Sequence, residues 1–256
     1  MLKTHAIPAF KDNYIWFIQA SNSQHVLIVD PGDALPVLDA LKQSGLIPIA
    51  ILITHGCHDH VNGINALLER YDIPVYGPKN EFIPSITHPL SACEDVKVSV
   101  NFPVIQVLDI PGHTKGHIGF LVEGMLFCGD ALFGAGCGRL HSGPAELMFQ
   151  SLQKIAQLPA STLIYCAHEY TEANLRFAAT IEPENGDIKL RIKDTRALRQ
   201  QRLPSLPSNL ESELKTNPFL RCEQEAVKQA TEKRVSRQLA SAQAVFTVLR
   251  QWKDVF

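Results

Sequence analysis

The sequence predicts an α/β protein in two parts, with sheets covered by helices over the first two thirds and a helical appendage behind them. Two observations carry this. Short β-rich apolar runs, punctuated by glycine and proline, alternate with helical patterns up to about Glu172. Beyond it the strand signals stop and helical periodicity takes over. At 256 residues the chain can bury a sizeable core, and the expected boundary divides residues 1–172 from 173–256.

Tyr14 to Ala20 and His25 to Val29 read as strands, Ala34 to Gln43 as a helix, and Leu46 to Ile53 as a buried strand. Strand signals recur at Val104 to Leu108, His117 to Val122, Met125 to Cys128 and Thr162 to Cys166, with turns at Pro31-Gly32, Pro111-Gly112, Gly129 and Gly134 to Gly138. Helices are expected at Glu172 to Ile181, Ile188 to Gln201, Cys222 to Ser241 and Ala242 to Trp252, interrupted by the proline- and serine-rich Leu203 to Asn209.

A formal charge of -2 gives no net attraction to nucleic acid or an anionic membrane. The basic stretch Lys189, Arg191, Lys193, Arg196, Arg199, Arg202 is broken by Asp194 and spaced as a solvated helix face. Lys3, Lys11 and Asp12 argue against a secretory leader, and no run approaches a membrane span. Six scattered cysteines (Cys57, Cys93, Cys128, Cys137, Cys166, Cys222) suit reduced thiols in a cytoplasmic protein.

Chemistry concentrates in Thr54-His55-Gly56-Cys57-His58-Asp59-His60, where His55, Asp59 and His60 fall directly after a buried strand, a rigid mount for a functional loop. Three further candidates follow apolar strands: His113, Asp130 and His168. One histidine after a strand is most often structural; this recurrence points to a metal site. His117 is assigned to packing or to orienting a ligand, and His5, His25 and His88 have no motif context. No Gly-x-Ser-x-Gly suggests a serine nucleophile.

The first cluster resembles the His-x-His-x-Asp-His signature of the metallo-β-lactamase superfamily, which implies an αββα sandwich with two divalent metal ions. The resemblance would put His55, position 57 and His113 on one ion, Asp59, His60 and His168 on the other, and Asp130 between them. Cys57 stands where the family has histidine, and its sulfur can reach a metal, because a zinc-sulfur bond of about 2.3 Å offsets the shorter side chain. A thiolate there would weaken Lewis acidity and favour zinc over iron or manganese.

The segments Ile7 to Tyr14, Gly136-Cys137-Gly138-Arg139, Ala167 to Thr171, Asn217 to Arg221 and Leu249 to Asp254 resemble glyoxalase II, the hydroxyacylglutathione hydrolases, along essentially the whole chain. That resemblance implies hydrolysis of S-(2-hydroxyacyl)glutathione, typically S-lactoylglutathione, to glutathione and D-lactate by a metal-bound hydroxide, the second step of methylglyoxal detoxification. It implies Arg139, Tyr170, Arg250 and Lys253 as glutathione contacts, with His141 where the family often has an aromatic, and Asp59 as the ligand that also orients the nucleophile. Cation-carboxylate pairs suit a substrate with two carboxylates; the competing reading of Arg250 and Lys253 is a solvated helix end, where cations are favoured. A cytoplasmic monomer is expected. The alternatives are a mononuclear iron enzyme like persulfide dioxygenase, using His55, His113 and Asp130, and an impaired glutathione-thioester binder that has lost metal because of Cys57.

Overall fold

The computed structural model describes residues 2–91, 94–100 and 102–256. Cys93 lies outside the described residues, and no disulfide joins the other five cysteines. The chain divides into two compact units, Met1–Asp109 with Thr114–Gly129, and Ile110–His113 with Asp130–Phe256.

In the first unit a six-stranded mixed sheet runs in the order β1 (Lys3–Ala9), β2 (Asn13–Gln19), β3 (His25–Val29), β4 (Ile47–Leu52), β5 (Val75–Pro78), β6 (His88–Leu90). β1 to β3 pair antiparallel and β3 to β6 parallel, the parallel crossover from β3 to β4 being made by α1 (Ala34–Ser44). The Asp33 side chain accepts from Leu35 N–H at the start of α1, and Gly45, at φ 69°, closes its end in the left-handed conformation. Val37 and Leu41 of α1, with Ile64 and Leu67 of α3 (Ile64–Leu68), pack on Ile15, Phe17, Val26, Ile28 and Ile51. That face repeats every second residue, as a half-covered strand should. Between them stands the single turn α2 (His58–Val61).

A second set in this unit is antiparallel: β7 (Asp95–Val96), β8 (Ile105–Asp109), β9 (Ile118–Val122) and β10 (Met125–Gly129). Glu123 and Gly124 turn β9 into β10 with φ of 45° and 77°, the two positive values that a tight hairpin needs.

The second unit holds the hairpin β11 (Leu132–Phe133) and β12 (Gly136–Cys137), then α4 (Ala145–Ala156), β13 (Leu163–Cys166), α5 (Thr171–Ile181) and α6 (Gly186–Gln200). β14 (Ser208–Asn209) pairs antiparallel with β13. There follow α7 (Leu210–Thr216), a 3-10 turn at Pro218–Leu220, α8 (Glu225–Val235) and α9 (Ala242–Asp254). Asn185, Asn209 and Ser241 side chains cap α6, α7 and α9.

The helix expected over Cys222 to Ser241 is shorter than its pattern, because Ser236 turns left-handed at φ 52° and ends it at Val235. The basic stretch on α6 is only partly solvated. Arg191 pairs with the buried Glu213 at 2.5 Å and Arg199 approaches Glu169 at 3.5 Å, while Lys189 and Lys193 stay exposed. Among the described residues no helix is long and apolar enough to cross a membrane.

Candidate functional site

In the first unit the candidates collect at the carboxyl ends of the parallel strands, where open α/β sheets place their ligands. Val29 lies opposite Leu52, and Asp30 N–H donates to the Leu52 carbonyl at 3.0 Å, which sets the Asp30 carboxylate beside Thr54. Asp30 is 5% exposed and holds φ 51°, a left-handed value that aspartate tolerates better than most residues. Its Oδ1 accepts Thr54 N–H at 2.8 Å; its Oδ2 accepts the Thr54 hydroxyl at 2.7 Å and His60 Nδ1–H at 3.0 Å.

This network fixes both histidine tautomers. The Thr54 proton goes to Asp30, so Thr54 Oγ1 accepts from His55 Nδ1–H at 3.0 Å. Each neutral ring, protonated at Nδ1, then presents a lone pair at Nε2. His60 Nε2 faces Asp59 Oδ2 at 3.6 Å, and Asn13 Nδ2 donates to that same oxygen at 2.9 Å. Cys57 precedes α2 and brings its Sγ within 4.8 Å of a ring nitrogen of His55. His117 is buried and stacks on His55, centroids 4.6 Å apart and planes 20° apart. The structure thus brings Asp30, His55, Cys57, Asp59 and His60 together.

In the second unit His113, Asp130 and His168 form another group. His113 Nδ1–H donates to the Arg139 carbonyl at 2.9 Å, leaving the Nε2 lone pair toward Asp130 Oδ2 at 3.6 Å. His168 Nε2 lies 3.4 Å from the other oxygen, Oδ1. Asp130 therefore turns one oxygen to each histidine. The His168 ring stacks on Tyr170 at 4.7 Å and 7°, and both meet Phe133 edge-on.

These spacings test whether metal fits. A nitrogen lone pair pointed at a carboxylate oxygen from 3.6 Å is not a hydrogen bond, and two acceptors so placed repel. A cation between them removes the repulsion. With bonds of about 2.0–2.2 Å, a tetrahedral ion sets its ligand atoms about 3.4 Å apart, against 3.4 Å and 3.6 Å here. The donor groups fit divalent metal.

The five candidates for glutathione contact are all in the second unit. The Arg139 side chain is 73% exposed, with Nε 3.9 Å from Asp254 Oδ1. His141 is exposed and edge-on to His113 at 4.7 Å. Neither Arg250 nor Lys253 is a solvated helix end. Arg250 is 4% exposed, donates to the Cys137 carbonyl at 2.9 Å and to Asp254 at 3.0 Å, and lies over the Phe219 ring. Lys253 Nζ sits 5.3 Å from both the Phe177 and Phe256 rings. Burial first, then the charges of Arg250, Arg176 and Arg139, push its pKa down to about 8.

Sequence reasoning missed Asp30, and gave no role to Asn13 or Glu169, although both lie in segments that carry the family resemblance. Glu169 accepts Ser205 N–H at 2.8 Å and also the Ser205 hydroxyl, tying the residue between His168 and Tyr170 to the proline-rich segment. Asp30 carries a signal of its own, since Val29-Asp30-Pro31-Gly32 ends an apolar strand much as the segment before Asp130 does.

The metallo-beta-lactamase superfamily model matches residues 10–168, and the hydroxyacylglutathione hydrolase C-terminus model matches residues 169–256. A hydroxyacylglutathione hydrolase from Nitrosomonas eutropha is 50% identical with 100% of each chain covered, and one from Aeromonas hydrophila is 51% identical with 98% of each covered. The crystal structure of ETHE1 from Myxococcus xanthus matches with a TM-score of 0.68 at 21% identity, covering 98% of this chain and 91% of that one, which shows the fold. Fold, donor groups and full-length relatives agree: the chain belongs to the hydroxyacylglutathione hydrolases of the metallo-β-lactamase superfamily, metal-dependent hydrolases with a C-terminal helical region.

Proposed function

We propose that the protein hydrolyses S-(2-hydroxyacyl)glutathione, with S-lactoylglutathione the typical substrate, to glutathione and the 2-hydroxy acid. The observation that carries this is the approach of histidine Nε2 atoms to carboxylate oxygens at metal-ligand spacing, in a chain whose full-length relatives bear that name. His55, Cys57 and His113 would hold one divalent ion, Asp59, His60 and His168 a second, with Asp130 shared. Zinc is the proposed metal, since a thiolate at Cys57 favours it over harder ions. In this reading 1–172 is the metal domain, which also carries Arg139, His141 and Tyr170, and 173–256 is the helical domain that helps to bind glutathione.

When bound, such ions supply Lewis acidity, bringing the pKa of water from about 15.7 toward about 7 and polarising a carbonyl. The protein's residues do the rest. Asp30 holds His60 directly and His55 through Thr54, keeping both Nε2 lone pairs available. Asn13 donates to Asp59 Oδ2 and fixes the carboxylate, which would help to hold metal and would orient the attacking water. The thiol leaving group has a pKa of about 8.5, so departure as thiolate needs no dedicated acid.

Arg139, His141, Tyr170 and Lys253 would meet the glutathione moiety, the cations pairing with its carboxylates. Arg250 would serve the same subsite from beneath, by holding the carbonyls of the turn that carries Arg139. We further propose a cytoplasmic monomer without nucleic-acid or membrane partners. Release of thiol from S-lactoylglutathione by purified protein, with metal counted on the same sample, tests the reading; thioester that survives metal-replete protein overturns it.

A further inference from the structure

We infer that Glu81 is a positioning residue for the ligand set His55, Cys57 and His113, acting through the Gly56 N–H and the Thr114 hydroxyl that adjoin them in the chain; this rests on the metal assignment proposed above. Glu81 stands in the loop after β5, two residues before Ile83, which is buried in the core beneath α3. Its Oε2 accepts Gly56 N–H at 2.5 Å and its Oε1 accepts the Thr114 hydroxyl. Gly56 separates His55 from Cys57, and Thr114 follows His113. One carboxylate thus holds both ligand-bearing segments, each through its own oxygen.

The surroundings are shaped for it. A Cβ at position 56 would come 2.9 Å from Glu81 Oε2, and a Cβ at position 116 would come 2.6 Å from Glu81 Cγ and 2.9 Å from the Asn80 carbonyl oxygen. Gly56 and Gly116 are therefore the room that Glu81 occupies, and neither has the positive φ that would otherwise call for glycine. A hydrogen bond from a backbone amide to a carboxylate is of the stronger, charge-assisted kind.

Cys57 gives the clamp its importance. A histidine places its nitrogen through two side-chain torsions and can correct a displaced backbone, whereas a cysteine places its sulfur through one. The position of Sγ then follows the backbone at residues 56 and 57, which Glu81 holds. Glu81 compensates for the short ligand.

The test uses full-length protein as wild type, Glu81→Gln and Glu81→Ala. Zinc affinity is read by competition with a chromophoric chelator, and Cys57 ligation by the thiolate-to-cobalt charge-transfer absorption after cobalt substitution. Loss of an outer-shell partner typically costs about 10–100-fold in metal affinity. The expected result is that weakening at one of two sites in Glu81→Ala, with loss of the cobalt-thiolate band. Glu81→Gln, which keeps an oxygen for Gly56 N–H and whose amide can donate to the threonine hydroxyl, should stay within about threefold and keep the band. Thermal midpoints of the metal-free proteins identify any general folding defect. Unchanged affinity and band in Glu81→Ala, or equal weakening at both sites, overturns the inference. A wild type that binds no zinc removes the metal assignment and this inference with it.

Discussion

Removing Asp30 should damage both the metal-free fold and the metal site, by different amounts that can be measured separately. In Asp30→Ala the buried carboxylate no longer accepts from Thr54 N–H, the Thr54 hydroxyl and His60 Nδ1–H. The hydroxyl can rotate to another acceptor and the His60 proton can move to Nε2, on the side of Asp59, but the amide stays where it is. At about 1–3 kcal/mol for a buried donor left unsatisfied, the metal-free protein should lose about 1–3 kcal/mol. Alanine gains nothing back, because φ 51° suits it less than aspartate. Metal affinity should fall separately by about 10–100-fold, equivalent to about 1.4–2.7 kcal/mol, as His60 and His55 lose their tautomer control. Asp30→Asn, which retains one acceptor oxygen, should fall between. Urea unfolding in the presence of chelator measures the first quantity and chelator competition the second. If Asp30→Ala unfolds within about 0.5 kcal/mol of wild type and binds metal equally well, the idea that this carboxylate organises the first unit's ligands is wrong.

Three other expectations concern ligands and clamp. Cys57→His should raise metal content and the hydrolysis rate; if neither moves, the thiol is neutral at this position. With Lys253 at about 8, well below its ordinary 10.5, the ammonium is present at neutral pH and lost as pH rises through about 8. KM for the thioester should climb over that range with kcat nearly constant, and Lys253→Arg should abolish the climb; a flat KM in wild type would remove Lys253 from the glutathione subsite. The same shift has a stability consequence. Because the folded value lies below the unfolded one, the unfolded chain binds more protons between about 8 and 10.5, so this group costs stability at neutral pH and the cost fades across that window. Glu169→Ala should destabilise by about 1–3 kcal/mol by releasing Ser205, and should raise KM through Tyr170; unchanged KM and stability would show that the tie is idle.

The parts of the site legible in the sequence are those that share a local signature. His55, Asp59, His60, His113, Asp130 and His168 each follow an apolar strand, and the six fall into the two donor groups found within the units. Asp30 follows β3 in the same way, but one carboxylate without a histidine beside it resembles an ordinary turn. Its partners lie 24 and 30 residues away, a pairing made only by the parallel register of β3 and β4. Glu81, 25 residues from Gly56 and 33 from Thr114, had no local pattern at all. Among the elements, α4 had its signal, with Met148, Leu152 and Ile155 buried at helical spacing behind Pro144. β1 was hidden by Pro8, which an edge strand tolerates, and β5 to β7 were too short for periodicity to register. The fate of Arg250 was illegible because a cation near a helix end is ordinarily solvated, and only tertiary packing on Phe219 and the Cys137 carbonyl buries this one.

The most direct measurement is thiol release from S-lactoylglutathione, with metals counted on the same protein sample. The account predicts hydrolysis with close to two divalent ions per chain, lost on chelation and restored by zinc. Intact thioester beside one bound iron would favour dioxygenase chemistry, and intact thioester with no metal would leave a glutathione-conjugate binder; either contradicts it.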